Sequence, residues 1–263
     1  MIKASPKIAI IISVKAIILS AGKSSRLKEL TKELPKTCLK INDEDSILSR
    51  MLKILDQKGF TEATLVIGYA AEKTQAFAEN ITPQLKDLKL KFLLNDDFEN
   101  KDNIYSVHLI QELLDDDTLV FNSDIVFDTR ILEIAIKRLR NEKSFLIVDD
   151  SKPLVDEDMK VISEDKRIKR ISKSLDNESS HGEYIGIMHI CSKDRAVYAE
   201  KLSELISNND VKRHYEYALD QILENIDLSL ESTQAYAWTE VDTLEDLKRA
   251  QKLECVNMTS QNL

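Results

Sequence analysis

Residues 14–22 read Val-Lys-Ala-Ile-Ile-Leu-Ser-Ala-Gly, a short apolar run that stops at three small residues. A run of this length is typical of a strand buried on both faces, as in a parallel sheet. Similar runs then alternate with segments whose apolar residues recur at helical spacing. We therefore predict an α/β fold, with a mostly parallel central sheet, helices on both faces and right-handed β-α-β crossovers.

The alternation extends along most of the chain. Strands are predicted at residues 14–19, 63–69, 88–94, 118–122, 145–148, 184–191 and within 228–238. Helices are predicted at residues 46–58, 72–80, 104–114, 129–140, 193–206, 215–226 and 243–253. Residues 159–163 and 167–172 flank Glu164-Asp165-Lys166 and predict a β-hairpin set on the main sheet. We expect a single domain over residues 14–255, after an N-terminal extension (1–13) and before a tail (256–263).

Composition narrows the classes of function. The chain has 263 residues, 43% of them apolar, and a formal charge of −9, which argues against broad nucleic-acid binding. Its three cysteines have no metal-ligand spacing with the histidines, and this favours a reduced, cytoplasmic protein. No apolar stretch reaches the roughly 20 residues of a membrane span, so we expect no membrane insertion. With only five glycines, any phosphate-binding loop must depend on few of them.

The loop after the first strand carries a candidate phosphate site. Residues 19–27 read Leu-Ser-Ala-Gly-Lys-Ser-Ser-Arg-Leu, and Leu34-Pro35-Lys36 follows. Small residues let the backbone approach a ligand, turn-directed N–H groups bind phosphate oxygens, and Lys23 and Arg26 add charge. The alternative is a strand-to-helix turn with exposed basic residues.

Two aspartates follow predicted strands. Asp124 comes after the strand that ends at Asn122, and Asp242 precedes the last helix. Carboxylates at such positions are reasonable ligands for Mg²⁺, which prefers hard oxygen donors. The alternative for each is a helix cap, with Thr243 as the other candidate cap of the last helix.

Together, S-A-G-K-S-S-R-L and L-P-K resemble the signature of nucleotidyltransferases that act on sugar phosphates and related phosphorylated small molecules, usually A-A-G-x-G-x-R-(L/M) then P-K. Ser20 and Ser24 depart from that pattern, and Asn122 replaces the first Asp of the family's D-x-D-like motif. The resemblance implies a Rossmann-like, GT-A-type nucleotidyltransferase fold with Mg²⁺ as cofactor. It also implies a nucleotide-binding part over about 14–150 and a substrate-side part over about 151–255.

Further segments resemble a narrower group, the cytidylyltransferases that activate phosphocholine, aminoethylphosphonate, inositol phosphate and similar compounds. These segments are Asn103-Ile104-Tyr105-Ser106, Asp158-Met159-Lys160-Val161, Gly182-Glu183-Tyr184-Ile185-Gly186 and Trp238-Thr239-Glu240-Val241-Asp242-Thr243. Uridylyl- and thymidylyltransferases for sugars normally carry Gln-x-Pro-x-Gly-Leu-Ala where this chain has residues 102–107, so the resemblance favours CTP.

The resemblance also implies residue roles. Arg26, Lys36 and Lys160 would be catalytic, with Arg26 and Lys23 on the outer phosphates and the two lysines at the α-phosphate. Asp124 and Asp242 would hold the metal. The nucleotide-binding residues would be Leu19, Ala21, Gly22, Lys23, Ser24, Ser25, Asn103, Tyr105 and Ser106. Each lysine taken singly is more typical of a solvated surface.

An acidic, partly aromatic set is expected to bind the acceptor: Asp149, Asp150, Glu183, Tyr184 and Glu216. A cationic amine, as in phosphocholine, an aminoalkyl phosphonate or a phospho-amino-acid such as phosphoglutamine, would complement it, and polyol hydroxyls would also hydrogen-bond to it. Asp149-Asp150 is equally consistent with a solvated turn.

The leading hypothesis is a magnesium-dependent cytidylyltransferase that transfers CMP from CTP to a phosphorylated or phosphonate acceptor, for capsule or other cell-surface polysaccharide, phosphonate or lipid decoration. One alternative is a sugar-1-phosphate nucleotidyltransferase that uses another nucleotide. The other is an inactive nucleotide-binding regulatory protein. The oligomeric state stays open, a homodimer being one option.

Overall fold

The structure, a computed structural model, describes residues 14–257 except 24, 33 and 140. Its strands are β1 (Lys15–Ser20), β2 (Glu62–Ile67), β3 (Lys89–Leu94), β4 (Thr118–Asn122), β5 (Ile125–Phe127), β6 (Phe145–Asp149), β7 (Lys160–Glu164), β8 (Arg167–Ser172), β9 (Gly182–His189), β10 (Ser229–Ser232) and β11 (Trp238–Glu240). Its α-helices are α1 (Ile47–Gln57), α2 (Ala71–Ile81), α3 (Asn103–Ile110), α4 (Thr129–Leu139), α5 (Ser192–Ser207), α6 (Glu216–Asp220), α7 (Leu244–Lys252) and α8 (Glu254–Asn257). Short 3₁₀ helices span Ser25–Thr31, Lys36–Cys38, Thr82–Gln84 and Gln111–Leu113.

Within the described residues, nine strands form one sheet in the order β3-β2-β1-β4-β9-β6-β10-β8-β7. The pairings from β3 to β4 are parallel, and so is that of β6 with β10. β9 runs antiparallel to β4, β6 and β7, and β8 runs antiparallel to β7 and β10. Seven strands therefore share one direction, which confirms the predicted mostly parallel sheet.

The side chains of β1 contact the apolar layers on both faces of the sheet. Ile17 and Leu19 pack into the apolar layer that contains α3, α5 and α6. Ala16 and Ile18 point to the opposite layer, formed with α1, α2 and α4. Alternate side chains of one strand thus reach both apolar layers, and a polar residue at any of these positions would be buried without a partner.

The predicted hairpin is confirmed. β7 and β8 pair in antiparallel register, and the turn residues Asp165 and Lys166 both have positive φ, 48° and 66°. Two such residues form the tight turn whose twist matches that of the strands it joins. Because β7 also pairs with β9, the strands β9-β6-β10-β8-β7 close into a ring at this end of the sheet.

The helix predicted over residues 215–226 is wrong in length, since α6 ends at Asp220. Beyond it, the N–H groups of Ile222 and Asn225 bond to carbonyls three residues earlier. The Asp220 carboxylate accepts a 2.8 Å hydrogen bond from the backbone N–H of Ile171 on β8, which ties the segment to the hairpin. These tight turns bury the same apolar side chains that a longer helix would bury, so apolar spacing cannot distinguish the two.

None of the described helices combines the length and the apolar composition needed to cross a bilayer.

The end of β2 packs closely against the loop that follows β1. The N–H of Tyr69 donates to the carbonyl of Ala21 at 3.0 Å. A Cβ at Gly68 would lie 2.9 Å from both the Cβ and the carbonyl oxygen of Ala21, and 3.0 Å from the Cβ of Phe98. Glycine at residue 68 therefore sets how near this loop can lie to the sheet.

Gly68→Ala is expected to lower the free energy of unfolding by about 1–3 kcal/mol, because the added methyl overlaps the carbonyl oxygen and Cβ of Ala21 and the Cβ of Phe98, which can move only with the backbone. Gly22→Ala is the matched control, since a Cβ there meets nothing within 4 Å. Urea unfolding of the ligand-free variants measures both. Equal stability of the two variants would contradict this account of Gly68.

Candidate active site

A cavity of about 440 Å³ opens at the edge of the sheet where β1 and β4 end and β9 begins. The cavity is lined by these residues expected from the sequence: Leu19, Ala21, Gly22, Lys23, Arg26, Lys36, Asn103, Ser106, Asp124, Glu183, Tyr184, Glu216 and Asp242. Ligands of open parallel sheets bind at this edge. The fold thus brings together residues that lie more than two hundred positions apart in the chain.

The loop after β1 forms one wall of the cavity. Tyr69, which fixes Ala21 through its backbone, also donates from its hydroxyl to the carbonyls of Thr31 and Lys32, at 3.1 and 3.0 Å. The ammonium of Lys23 lies 3.9 Å from a carboxylate oxygen of Glu99 and stays largely exposed. Ser24 lies outside the described residues, and Ser25 begins the 3₁₀ helix Ser25–Thr31.

Three carboxylates meet at the floor of the cavity because β5 pairs with β11. Ile125 is in register with Glu240, and the N–H of Val241 donates to the carbonyl of Asp124 at 2.9 Å. Carboxylate oxygens of Asp124, Glu240 and Asp242 consequently lie within 4.8 Å of one another. The β5–β11 pairing and the place of Glu240 were not predicted. The sequence signal for this pairing is a short apolar run after Asp124 (125–127) and another shortly before Asp242 (235–238).

The two aspartates do not cap helices. Asp124 leads into β5, and the N-cap of α7 is Thr243, whose side chain forms a capping box with Asp246. The carboxylate of Asp242 therefore lines the cavity and does not cap α7.

Two cations bind this cluster. Lys36, only 7% exposed, places its Nζ 2.8 Å from Oδ2 of Asp124 and 2.8 Å from Oδ1 of Asp242. Arg26 approaches the other oxygen of Asp242, with Nη2 to Oδ2 at 2.6 Å. Burial alone would lower the pKa of Lys36, but the two carboxylates outweigh burial and raise it, so this side chain stays charged. Pro35, with φ −56°, precedes the 3₁₀ turn that aims Lys36 inward.

The cluster suits a divalent cation. All its donors are carboxylate oxygens, the set that Mg²⁺ prefers. Oδ1 of Asp124 is buried and has no hydrogen-bond partner among the described residues. Burial raises the pKa of Glu240 to about 8, and the charges of Asp124 and Asp242 add to the rise. Concentrated negative charge of this kind is what a bound cation would relieve.

The opposite wall contains buried acidic and phenolic groups. Glu216 is 4% exposed, and its Oε2 has no hydrogen-bond partner among the described residues. Burial raises the pKa of Glu216 and of Glu183 to about 7 in each case, and Lys152 lies 2.5 Å from Glu183. The hydroxyls of Tyr184 and Tyr215 are 2.7 Å apart.

Asn122, which stands where the motif quoted above usually has Asp, extends the hydrogen-bond network of Tyr184 and Tyr215. The hydroxyl of Tyr215 donates to its Oδ1 at 3.1 Å. Gly186, with φ +88°, packs against the same side chain, since a Cβ there would lie 2.7 Å from Nδ2 of Asn122. Asn122 is therefore held by hydrogen bonding and packing beside the carboxylate cluster.

The structure does not bring four of the expected residues to the cavity wall. Asp149 accepts from Nε1 of Trp238 at 2.8 Å and from Ser151, and Asp150 accepts from Ser232 at 2.6 Å. Tyr105 lies beneath the ammonium of Lys101, 3.7 Å from the ring centroid. Their ligand-binding roles stay predictions.

Lys160 is the fourth, and it is 1% exposed. Its Nζ donates to the carbonyls of Val155 and Asp156 at 3.1 and 3.0 Å, with that of Asp158 at 3.4 Å. The ammonium is thus surrounded by backbone oxygens of the segment before β7.

A different lysine lines the cavity on this side. Lys173 follows β8 directly, and Ser172 is the register partner of Lys160. The sequence predicts the hairpin, but the place of Lys173 depends on where β8 ends, because the residue after that strand returns to the cavity. Other lining residues that sequence reasoning did not single out include Asn95, Phe98, Lys101, Glu157 and His214.

Comparisons with known proteins agree with this geometry. The family model described as Nucleotidyl transferase matches residues 15–255. A bifunctional IPC transferase and DIPP synthase of Aquifex aeolicus is 28% identical over 240 residues, 90% of this chain. The chain spans about half of that relative's length, 51%.

Two further proteins are similar over nearly their whole length. A choline-phosphate cytidylyltransferase of Streptococcus pneumoniae is 25% identical over 248 residues, which cover 91% of this chain and 97% of the relative. The solved structure of a CTP:phosphocholine cytidylyltransferase from Streptococcus pneumoniae has a TM-score of 0.74 at 20% identity, covering 91% of this chain and 98% of that one.

These similarities confirm the expected Rossmann-like nucleotidyltransferase fold and the resemblance drawn from the motifs. Since the family model extends from β1 through α7, across every element that contributes to the cavity, the chain belongs to the nucleotidyl transferase family.

Proposed function

We propose that the protein is a magnesium-dependent cytidylyltransferase that transfers CMP from CTP to a phosphorylated or phosphonate small molecule and releases pyrophosphate. The observation that carries the proposal is the cluster in which Lys36 and Arg26 meet Asp124, Glu240 and Asp242 beside the loop after β1. The choice of CTP rests on the cytidylyltransferases among the similar proteins and on the segments quoted above.

In the proposed reaction, an oxygen of the acceptor phosphate attacks the α-phosphorus of CTP. The new bond joins that oxygen to the α-phosphorus, and the bond between the α-phosphorus and the bridging oxygen breaks, so pyrophosphate leaves with the electron pair. A phosphate monoester has its second pKa near about 6, so the attacking oxygen is already anionic and needs no general base. Catalysis then consists of alignment and charge neutralisation.

The chain's own cations supply most of that neutralisation. Lys36 and Arg26 reach the carboxylate cluster from the phosphate loop, and Lys23 lies on the same wall. A divalent cation held by Asp124 and Asp242, with Glu240 beside them, would supply Lewis-acid stabilisation of charge on the phosphate oxygens. We assign Lys36 to the α-phosphate and Arg26 with Lys23 to the outer phosphates.

Lys173 is proposed as the cation that the substrate-side part contributes. It is exposed, lines the cavity and forms no ion pair among the described residues. Burial raises the pKa of both Glu216 and Glu240, and the charge of Lys173 opposes part of each rise. Lys173 is therefore near both the proposed acceptor wall and the carboxylate cluster, where a transferring phosphate would lie.

Glu216 is proposed to recognise a cationic amine on the acceptor. A buried carboxylate oxygen without a partner is costly, and a ligand ammonium would satisfy it. The aromatic ring of Tyr184 adds a surface that favours a cation.

Incubation with CTP, Mg²⁺ and a panel of phosphorylated amines, amino acids and polyols should release pyrophosphate. UTP, dTTP, GTP and ATP run in parallel would reveal a sugar-type enzyme by its nucleotide preference.

Asp124→Asn should reduce turnover at least about 100-fold while the protein stays folded. Asp87→Asn, at an exposed aspartate that does not line the cavity, is the matched control. Pyrophosphate release that is unchanged in Asp124→Asn would refute the metal assignment.

Lys173→Met should lower kcat/KM for the acceptor about tenfold or more with no loss of stability, because it removes an exposed charge that faces the cavity. Lys160→Met should instead lower the free energy of unfolding by roughly 1–3 kcal/mol, since three backbone carbonyls lose the ammonium that donates to them. Steady-state kinetics and urea unfolding of both variants separate the two roles. If Lys160→Met loses turnover at unchanged stability, the catalytic role expected from the sequence belongs to Lys160 instead.

Glu216 predicts a pH dependence specific to amine-bearing acceptors. Its pKa of about 7, raised by burial, means that the carboxylate gains charge as the pH rises from 6 to 8. Besides burial, the charge of Lys173 and a hydrogen bond from Tyr215 lower the pKa of Glu216, and the charge of Asp124 raises it. Burial raises the pKa values of the neighbouring Tyr184, Tyr198 and Tyr215, so these phenols stay neutral from pH 6 to 8. KM for phosphocholine should therefore fall with rising pH more than KM for a polyol phosphate does.

The comparison with a polyol phosphate corrects for titration of the acceptor's own phosphate, because both acceptors carry that group and only phosphocholine carries a cationic amine. Glu216→Gln should raise KM for phosphocholine about tenfold and remove the difference between the two acceptors. Glu183→Gln is the companion variant, because the charge of Glu183 is already matched by Lys152. Identical pH profiles for both acceptors in the wild type would contradict the role of Glu216.

A further inference from the structure

The carboxylates proposed to hold the metal are already occupied by the chain's own cations. Lys36 bridges Oδ2 of Asp124 and Oδ1 of Asp242, both at 2.8 Å. Arg26 takes the remaining oxygen of Asp242 at 2.6 Å. Charge-assisted contacts of this length are among the stronger hydrogen bonds in proteins.

A divalent cation that bridges the two aspartates must use an oxygen of Asp242, and both of its oxygens are engaged. Mg²⁺ binds its ligand oxygens at about 2.0–2.1 Å, well inside the 2.8 Å at which the ammonium of Lys36 lies. Two cations on the same pair of oxygens would be only a few ångströms apart, and at that separation, beside half-buried carboxylates, they repel each other strongly. The ammonium and the divalent ion therefore exclude each other from the position between the carboxylates.

Lys36 would have an alternative anionic partner only when phosphate is bound in the cavity. It is 7% exposed, so leaving the carboxylates without a new anionic partner would leave its charge buried and unpaired. The exposed Arg26 can return to water, but Lys36 cannot do so as easily. Triphosphate oxygens on the loop side of the cavity would provide the missing partner.

We propose that Lys36 occupies the divalent-cation position in the nucleotide-free protein and is displaced from it by the cation only when a nucleotide offers its phosphates. The inference rests on the proposed function and adds a coupling to it. Lys36 opposes metal binding in the absence of nucleotide, and metal and nucleotide favour each other's binding by the same factor. The lysine that would stabilise the α-phosphate is thereby held away from it until both ligands are present.

The test measures binding of Mn²⁺ alone to the nucleotide-free protein, by electron paramagnetic resonance of the unbound ion. Lys36→Met should bind Mn²⁺ at least about tenfold more tightly than the wild type, because it removes the competing charge and keeps an unbranched side chain only one atom shorter. Lys23→Met is the matched control: it removes one cation from the same cavity, but from a lysine whose ion-pair partner is Glu99. Its Mn²⁺ affinity should change less than about threefold.

A second measurement uses the wild-type chain, in case Lys36→Met does not fold without metal. With ¹⁵N-labelled lysine, the Nζ resonance of Lys36, identified by its absence in Lys36→Arg, should shift when Mg²⁺ and a non-hydrolysable CTP analogue are added together. Mg²⁺ alone at the same concentration should leave it nearly unchanged.

Equal Mn²⁺ affinity in the wild type and Lys36→Met, or an Nζ resonance that Mg²⁺ and the nucleotide analogue do not move, would overturn the inference. Neither readout depends on turnover. Metal competition without pyrophosphate release would therefore reject the proposed function alone, and turnover without metal competition would reject this inference alone.

Discussion

The ion pairs of Lys36 with Asp124 and Asp242 join three distant segments of the chain. One aspartate follows β4, the other precedes α7, and the lysine lies on the 3₁₀ turn after the loop from β1. Each segment alone is a short connection at the end of a strand. Removing both aspartates would leave the buried ammonium of Lys36 without an anionic partner, which is typically costly by several kcal/mol. The floor of the cavity therefore depends on the two aspartates and the lysine together.

Most strands of the fold, and the place of several expected residues at one cavity, are predictable because they depend on short-range patterns. Continuous apolar runs marked the buried strands, and small or charged residues just after them marked the edge where ligands bind. Lys36, Asp124 and Asp242 follow from this rule with the resemblance to the family. The rest depended on pairings between distant segments. Glu240 enters the cluster through the β5–β11 register, which no local pattern specifies.

The two lysines of the hairpin region show why a motif does not fix the direction of a side chain. Lys160 begins β7, and its position in the motif predicts a catalytic role, but three backbone carbonyls surround its ammonium. Lys173 has no motif, yet the antiparallel register brings the end of β8 to the start of β7 and so to the cavity. Strand order and register decide which lysine lines the cavity, and neither can be obtained from one segment of sequence.

A chain with a formal charge of −9 that binds a polyphosphate must solve an electrostatic problem locally. The usual solution, a glycine-rich loop of backbone N–H groups, is limited by the scarcity of glycine, and Gly68 and Gly186 serve close packing. Side chains must then provide the positive charge, and buried cations need anionic partners when no ligand is bound. The carboxylates beneath the loop provide them, and their charges keep Lys36 protonated by raising its pKa. In the proposed mechanism, the same carboxylates would serve as oxygen ligands of a divalent ion once phosphates draw the lysine away. Acidic residues in a phosphate site are therefore consistent with its function, because one set of oxygens can neutralise the lysine in one state and the metal in the other.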